Sequence, residues 1–380
     1  ICLWLVPFSM LAKGTRALPI HGERNFLEGD KLSFLTTVIV DGQLLMSIPE
    51  EILDQPVLFV RYDKGSSRRF LQVVWSIEGN KMFLKVPSIR STAGVTIPIK
   101  PNIPREDIIL AVFPLEGNGE KHGYTIDITD LVLHQMIEWE PGFSERLVPE
   151  VSSLIGSRNL ADEVIIKTRR GLLKGESKVA VPIYYGFCRL PDPMKPRRFD
   201  YRMGFYDEEV TNLHFLLRNS RANITKYRLE KRFVDQAISS PLDPITFLMS
   251  PDIPKKWRPY VKAGIEEWLP AFEAAGFSDA LVVKVVDSLD EWQIHSIHSN
   301  VVHWSRINDV RGHEDEEYAG SVANVIDLRT GEILRGDILL QASEYSLMEK
   351  YFVRAAPLDK RAQQFPFPDE LTGSLIQVLT

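Results

Sequence analysis

Residues 244–277 read PITFLMSPDIPKKWRPYVKAGIEEWLPAFEAAGF, and this stretch sets the fold of the second half of the chain. It opens with a short apolar strand, 244–250. Asp252 and Pro254 then signal a helix start, because an Asx cap and an early proline suit the first turn. Trp257, Val261, Ile265, Trp268, Phe272 and Ala275 recur on one helical face, and Gly276 stops the helix. Pro270 falls inside this pattern and predicts a kink.

Downstream, LVVKVVD (281–287) and VVHWSRI (301–307) read as buried-type strands. SVANVIDL (321–328) and EILRGDILLQA (332–342) pair across Arg329-Thr330-Gly331 as a hairpin. Strand, long helix, two strands and a hairpin make an α/β arrangement.

Upstream, residues 28–115 have the texture of antiparallel hairpins. LSFLTTVIV (32–40), LLMSIP (44–49), VLFVRY (57–62), RFLQVVWSI (69–77) and KMFLKV (81–86) are separated by turn signals such as Asp41-Gly42 and Glu78-Gly79-Asn80. Pro98, Pro101 and Pro104 interrupt the run, and IILAVFPL (108–115) resumes it. Residues 124–140 read as a strand and a short helix capped by Asp127 or Thr129, and residues 144–156 look helical. EVIIKTRR (163–170) and KVAVPIYYGFC (178–188) are further strands. A proline- and arginine-bearing connection from Leu190 then leads to a boundary near 240.

Composition limits the function classes. The chain has 380 residues, with 45 Lys+Arg against 51 Asp+Glu, a formal charge of −6. With 44% hydrophobic and 25% charged residues it is not a disordered chain. The negative balance argues against nucleic acid as the main partner, which needs clustered Lys and Arg. Two cysteines, Cys2 and Cys188, exclude a disulfide framework, and Cys188 in an apolar run reads as a small buried hydrophobe.

Residues 1–12, ICLWLVPFSMLA, are too short to span a bilayer but have the length of a signal-peptide core. The expectation is a clipped secretory signal over 1–13 and an exported protein, periplasmic, outer-membrane-associated or extracellular. The other reading is a buried strand. No other run suits a membrane span. The first residue is Ile1 and Thr380 sits in a helix-like segment, so the chain reads as a piece of a longer one.

No local motif completes a catalytic constellation. His313-Glu314-Asp315-Glu316-Glu317 has Glu where a zinc helix needs its second His, and reads as a charged loop. His295, His298 and His303 lack an intervening Glu. They read as surface or edge-strand residues rather than a metal site. Glu208-Glu209 and Glu266-Glu267 are adjacent and so share no helical face. GLLKG (171–175) is too poor in glycine for a phosphate cradle, and no nucleophile elbow occurs.

Several stretches carry a resemblance: Thr225–Lys231, AFEAAGF (271–277), VIDLRTGEIL (325–334), DGQLLMSIPEEILDQPVLFVRY (41–62) and YTIDITDLVL (124–133). Together they resemble the bacterial zinc-dependent metalloproteases related to the metzincins, over most of 28–380. The resemblance implies an α+β fold. Its parts are a β-rich N-terminal domain over 14–240 and an incomplete zincin-like α/β domain over 241–380. It also implies an exported zinc metallopeptidase with zinc as cofactor of the full-length protein and a protein or peptide substrate. The family's zinc helix would begin near Pro368-Asp369, and the chain ends before its HExxH motif. No catalytic residue and no metal ligand is therefore carried over. This fragment is expected to lack peptidase activity and stoichiometric zinc, and its uncovered apolar sheet face to make it marginally stable.

What the resemblance does carry over is the substrate-binding edge strand, matched by Gly320–Ile326. Ser321, Val322, Ala323, Asn324 and Val325 are the candidates, against the reading of an ordinary hairpin strand. The charged segment 308–319 reads as an insertion. The alternative function is a non-catalytic surface or binding protein with a degenerate zincin domain.

Overall fold

A computed structural model describes residues 34–63, 68–87, 89–92, 95–98, 107–115, 123–139, 142–198, 223–304, 320–340, 360–363 and 367–380. The chain divides into two compact units, Ile1–Lys31 and Leu32–Thr380, and every described residue lies in the second. The expected signal segment, Glu208-Glu209 and the charged stretch holding His313–Glu317 lie outside the described residues.

The fold is α+β. The first half builds antiparallel sheets from the strands that the hairpin texture predicts. A three-stranded sheet has the order β1 (Thr36–Val40), β2 (Gln43–Ile48), β9 (Tyr124–Asp127). The β1–β2 turn is Asp41-Gly42, with φ of 49° and 82°, as a tight two-residue hairpin requires.

A seven-stranded sheet runs β10 (Ser153–Asn159), β11 (Glu163–Lys174), β12 (Ser177–Arg189), β3 (Pro56–Tyr62), β4 (Arg68–Glu78), β5 (Lys81–Val86), β8 (Ile108–Pro114). Strands β6 (Ile89–Thr92) and β7 (Val95–Pro98) pair with each other. Asp127 accepts from the Thr129 amide at 2.8 Å, fixing the entry to α1 (Thr129–Leu133).

Residues 144–156 are not helical, contrary to expectation. A single 3-10 turn at Pro149–Val151 leads directly into β10, which pairs antiparallel with β11. The apolar spacing of this segment imitates a helix. The free edge of β11 offers it a full ladder of hydrogen bonds instead, and that long-range pairing wins.

Strand β3 shows how the long sheet is buried on both faces. Val57 and Phe59 point into the core shared with β2 and α1, where Phe59 stacks on Phe187 at 4.3 Å. Leu58, Val60 and Tyr62 point the other way, into a core with Ile297 and Val325 from the second half. The period of two thus serves two cores at once.

The second half builds a five-stranded sheet of order β14 (Leu281–Val285), β13 (Ile245–Met249), β15 (Asn300–Trp304), β17 (Glu332–Leu340), β16 (Gly320–Asp327). Its first four strands are parallel, and β16 is antiparallel to β17.

The single kinked helix of the sequence reading is two helices, α2 (Arg258–Glu266) and α3 (Leu269–Ala274). Pro270 sits in the first turn of α3, where a missing N–H costs nothing. Trp257, Val261 and Ile265 pack on Ile245, Phe247 and Met249 of the sheet. Helix α4 spans Glu291–Ile294, and α5 (Asp369–Leu379) begins where the sequence places a helix. Helix α5 crosses α2 so closely that a Cβ on Gly264 would lie 2.4 Å from the Gln377 carbonyl oxygen. Ile376 of α5 joins α2 over the sheet, so part of the apolar face expected to lie bare is covered.

Candidate functional site

The β16–β17 hairpin positions the candidate site. Its pleat puts Arg335 and Asp337 on one face of β17 and Gly336 and Ile338 on the other. Both members of the charged pair are fully buried. Arg335 donates to Asp337 through Nε at 3.0 Å and Nη2 at 2.8 Å, and to the Ile294 carbonyl at 2.6 Å. Asp337 also accepts from the Val301 amide at 2.8 Å. One turn away, Asp327 takes Arg329 at 2.8 Å and Gln72 of the long sheet at 2.9 Å. These buried pairs hold one face of the hairpin against the body of the unit.

That other face lines an apolar cleft of about 620 Å³. Ile245, Phe247, Leu281 and Ile338 form its floor. Ile265, Trp268 and Phe272 form one wall, and Tyr227 with Leu229 stands opposite. Val322 and Asn324 of β16 form the rim. Lys226 is the one charged side chain of the lining. Burial, with Asp337 as a smaller influence, pushes the Tyr227 phenol above its ordinary range, so its hydroxyl is a neutral donor at physiological pH. The hydroxyl stands over Gly336: a Cβ there would lie 2.2 Å from Tyr227 Oη and 2.9 Å from Asn324 Oδ1.

The five candidate residues do not act alike. Val322 is 65% exposed on the cleft rim, whereas Val325 is fully buried in the core shared with the long sheet. Asn324 lines the cleft, Ala323 faces away from it, and Ser321 lies opposite Leu339 in the ladder. Among the described residues, no strand pairs with the outer edge of β16.

The three histidines are kept apart. His295 stacks on Tyr184 at 3.6 Å, His298 meets Asp162 at 3.0 Å, and His303 meets Asp337 at 3.4 Å. Among the described residues, no three His, Cys, Asp or Glu side chains form a metal-holding group. Glu266 pairs with Lys262 at 3.6 Å, and Glu267 accepts from the Gln377 amide. Cys188 is buried, donating weakly to Glu163 at 3.4 Å.

Sequence reasoning missed Tyr227, Trp268 and Gly336 as cleft residues. Trp268 belongs to the apolar helical pattern yet is 63% exposed, because the break between α2 and α3 turns it out of the core. The available signal was Gly336, since a glycine inside a strand marks close approach by another group.

Fold and cleft together define an α+β protein with a ligand-sized cleft beside the free edge of a mixed sheet. No family model matches the chain, and no solved structure matches it. A ribonuclease H of Cupriavidus pinatubonensis is 34% identical over 107 residues, which make up 27% of this chain and 68% of that protein. By this likeness the chain belongs, over about a quarter of its length, to the ribonuclease H family. The match corrects the expectation of a zinc-dependent metallopeptidase, together with its alternative of a degenerate zincin: the relative is named for the cleavage of RNA, not of peptides. The broader expectation of a hydrolase is what remains of the enzyme reading. No described helix is long and apolar enough to cross a membrane.

Proposed function

We propose that the chain is a hydrolase-class protein whose C-terminal sheet holds an extended segment of a polymer along β16, over the apolar cleft. The observation that carries this is the outer edge of β16, with which no strand pairs among the described residues, and the sharing of Val322 and Asn324 between edge and cleft. A peptide segment fits such an edge, because its main chain pairs with the strand and alternate side chains meet the cleft. The edge is a holding device and does not specify which bond is broken.

A second reading is RNA cleavage, favoured by the likeness to ribonuclease H. In that reading exposed Trp268 would stack a base. Titrating the chain with a fluorescent extended peptide and with a fluorescent single-stranded RNA separates the two. Saturable peptide binding lost on Val322→Pro supports edge docking. RNA binding and cleavage without peptide binding would establish the second reading and remove the first.

A further inference from the structure

Glu163 on β11 and Cys188 on β12 are cross-strand partners, and both are buried. The turn after α4 closes over them. Ser296 donates its hydroxyl to Glu163 at 2.6 Å, and Ile297 donates its amide at 2.9 Å. Cys188 donates to the same carboxyl at 3.4 Å, and Ile297 packs in the core that holds Cys188. The other attachment of this turn is to β17, where Arg335 donates to the carbonyls of Ser296 and Ile294. The two attachments differ in kind. Arg335 keeps its charge throughout the physiological range. Glu163 holds the turn through a group that gains and loses a proton. When protonated, its carboxyl keeps the Ser296 bond by donating to the hydroxyl oxygen, which also accepts. When ionised, it is a buried charge whose three donors, a hydroxyl, an amide and a thiol, are neutral. The charged and titratable groups facing it are Asp162, Cys188, His298, Tyr62 and Arg335. Arg335 is already engaged with Asp337 at 2.8 Å.

We propose that this joint is a proton-operated latch between the two halves of the unit. While Glu163 is protonated, the turn after α4 stays seated on β11 and β12. Ionisation of Glu163 lifts the turn locally and opens Cys188 to solvent, with both halves still folded. Helix α4 itself stays in place, held by the stacking of His295 on Tyr184 at 3.6 Å and by the Lys167–Glu291 pair. The direction follows from burial, the largest influence, which pushes the Glu163 carboxyl above its ordinary value of 4.5. The bonds from Ser296 and Ile297, and His298, pull the other way. In the open turn the carboxyl is hydrated and titrates in its ordinary range. The closed form is therefore fully favoured below that range and loses ground as pH rises through the closed-form pKa. Above that point the balance levels off, because both forms are ionised. The latch does not depend on the edge-docking reading above.

The test uses the 380-residue chain carrying Cys2→Ser, which leaves Cys188 as its one thiol. The labelling rate of Cys188 by 4,4′-dithiodipyridine is followed from about pH 5 to about pH 8, with and without Glu163→Gln. Dividing the two rates at each pH cancels the ionisation of the thiol itself. Near pH 5 the rates should agree within about twofold. Near pH 8 the chain with Glu163 should label at least about fivefold faster, because glutamine cannot ionise. Both rates should be unchanged by urea up to about 1 M, since a local opening exposes little surface. A rate ratio that stays flat across the range would overturn the proton as the operator. Labelling that climbs from the first addition of urea would show that only global unfolding frees Cys188, and would overturn the latch. Should Glu163→Gln not fold, Ser296→Ala serves in its place. Removing one of the bonds that seat the turn should speed Cys188 labelling at least about threefold near neutral pH, and an unchanged rate would overturn the proposal.

Discussion

Ser296 Oγ donates to Glu163 Oε2 at 2.6 Å, across 133 residues of sequence. The same carboxylate accepts from the Ile297 amide at 2.9 Å. Glu163 opens β11 of the long sheet, and Ser296 and Ile297 lie in the turn after α4. One fully buried carboxylate therefore ties the first half of the unit to the second. Around it, Arg158 meets Asp290 at 2.8 Å and Tyr184 donates to Glu291 at 2.9 Å, both at the more exposed rim of the same contact.

Removing this carboxylate should loosen the joint. Glu163→Ala leaves the Ile297 N–H and the Ser296 hydroxyl buried without an acceptor, and we expect a loss of about 2–4 kcal/mol in chemical denaturation. Ser296→Ala removes one donor and should cost about 1 kcal/mol. A loss below 0.5 kcal/mol, roughly the size of an inert surface change, in Glu163→Ala would count against the joint.

The pH dependence has a defined sign. Burial, the largest influence, pushes the Glu163 carboxyl above its ordinary value of 4.5, while the bonds from Ser296 and Ile297 pull the other way. The folded-state pKa thus lies above the unfolded one. The contribution of this group to stability is fully present below the unfolded pKa and is lost as pH rises through the folded value. Glu163→Gln cannot ionise, so wild type should lose stability relative to it as pH rises from the ordinary carboxylate range toward neutrality. Melting curves of the two proteins that run parallel across this range would refute the assignment.

The buried Arg335–Asp337 pair makes a second demand. Arg335→Met leaves a fully buried carboxylate without its guanidinium partner, and we expect a loss of about 3–5 kcal/mol. Arg335→Lys should recover little, because an ammonium cannot reproduce the guanidinium fork to Asp337 while reaching the Ile294 and Ser296 carbonyls. Urea denaturation midpoints check both.

On β16, two valines three positions apart should behave oppositely. Val325→Ala, in the core with Leu58 and Val60, should cost about 2 kcal/mol. Val322→Ala, at 65% exposure, should stay within about 0.5 kcal/mol and appear instead in peptide affinity.

Gly336→Ala places a methyl group against Tyr227 Oη, and the strain should cost about 1–3 kcal/mol. Tyr227→Phe in the same chain removes the clashing oxygen and should return part of that loss. A double-mutant cycle with no coupling would show that the tyrosine does not rest on this glycine.

The strands from Thr36 to Val86, the β16–β17 hairpin and the start of α5 are all legible in the sequence. Each is written by a local device: alternation of period two, a turn pair such as Asp41-Gly42, or an early proline. These act over a few residues and need no partner. Residues 144–156 are different, because their helical-looking spacing is overruled by the edge of β11, to which residues from Ser153 onward pair. The break before Trp268, the Tyr227–Asn324 approach over Gly336, and the carboxylate joining residues 163 and 296 are likewise decided in three dimensions. Likeness to a ribonuclease H, rather than any motif in the chain, displaced the metallopeptidase reading. By itself the sequence determined the α+β class and the strand that forms the edge. Tertiary structure decided which of that strand's residues meet a ligand and which are core, because burial depends on the sheet packed behind β16, supplied by residues more than 200 positions away.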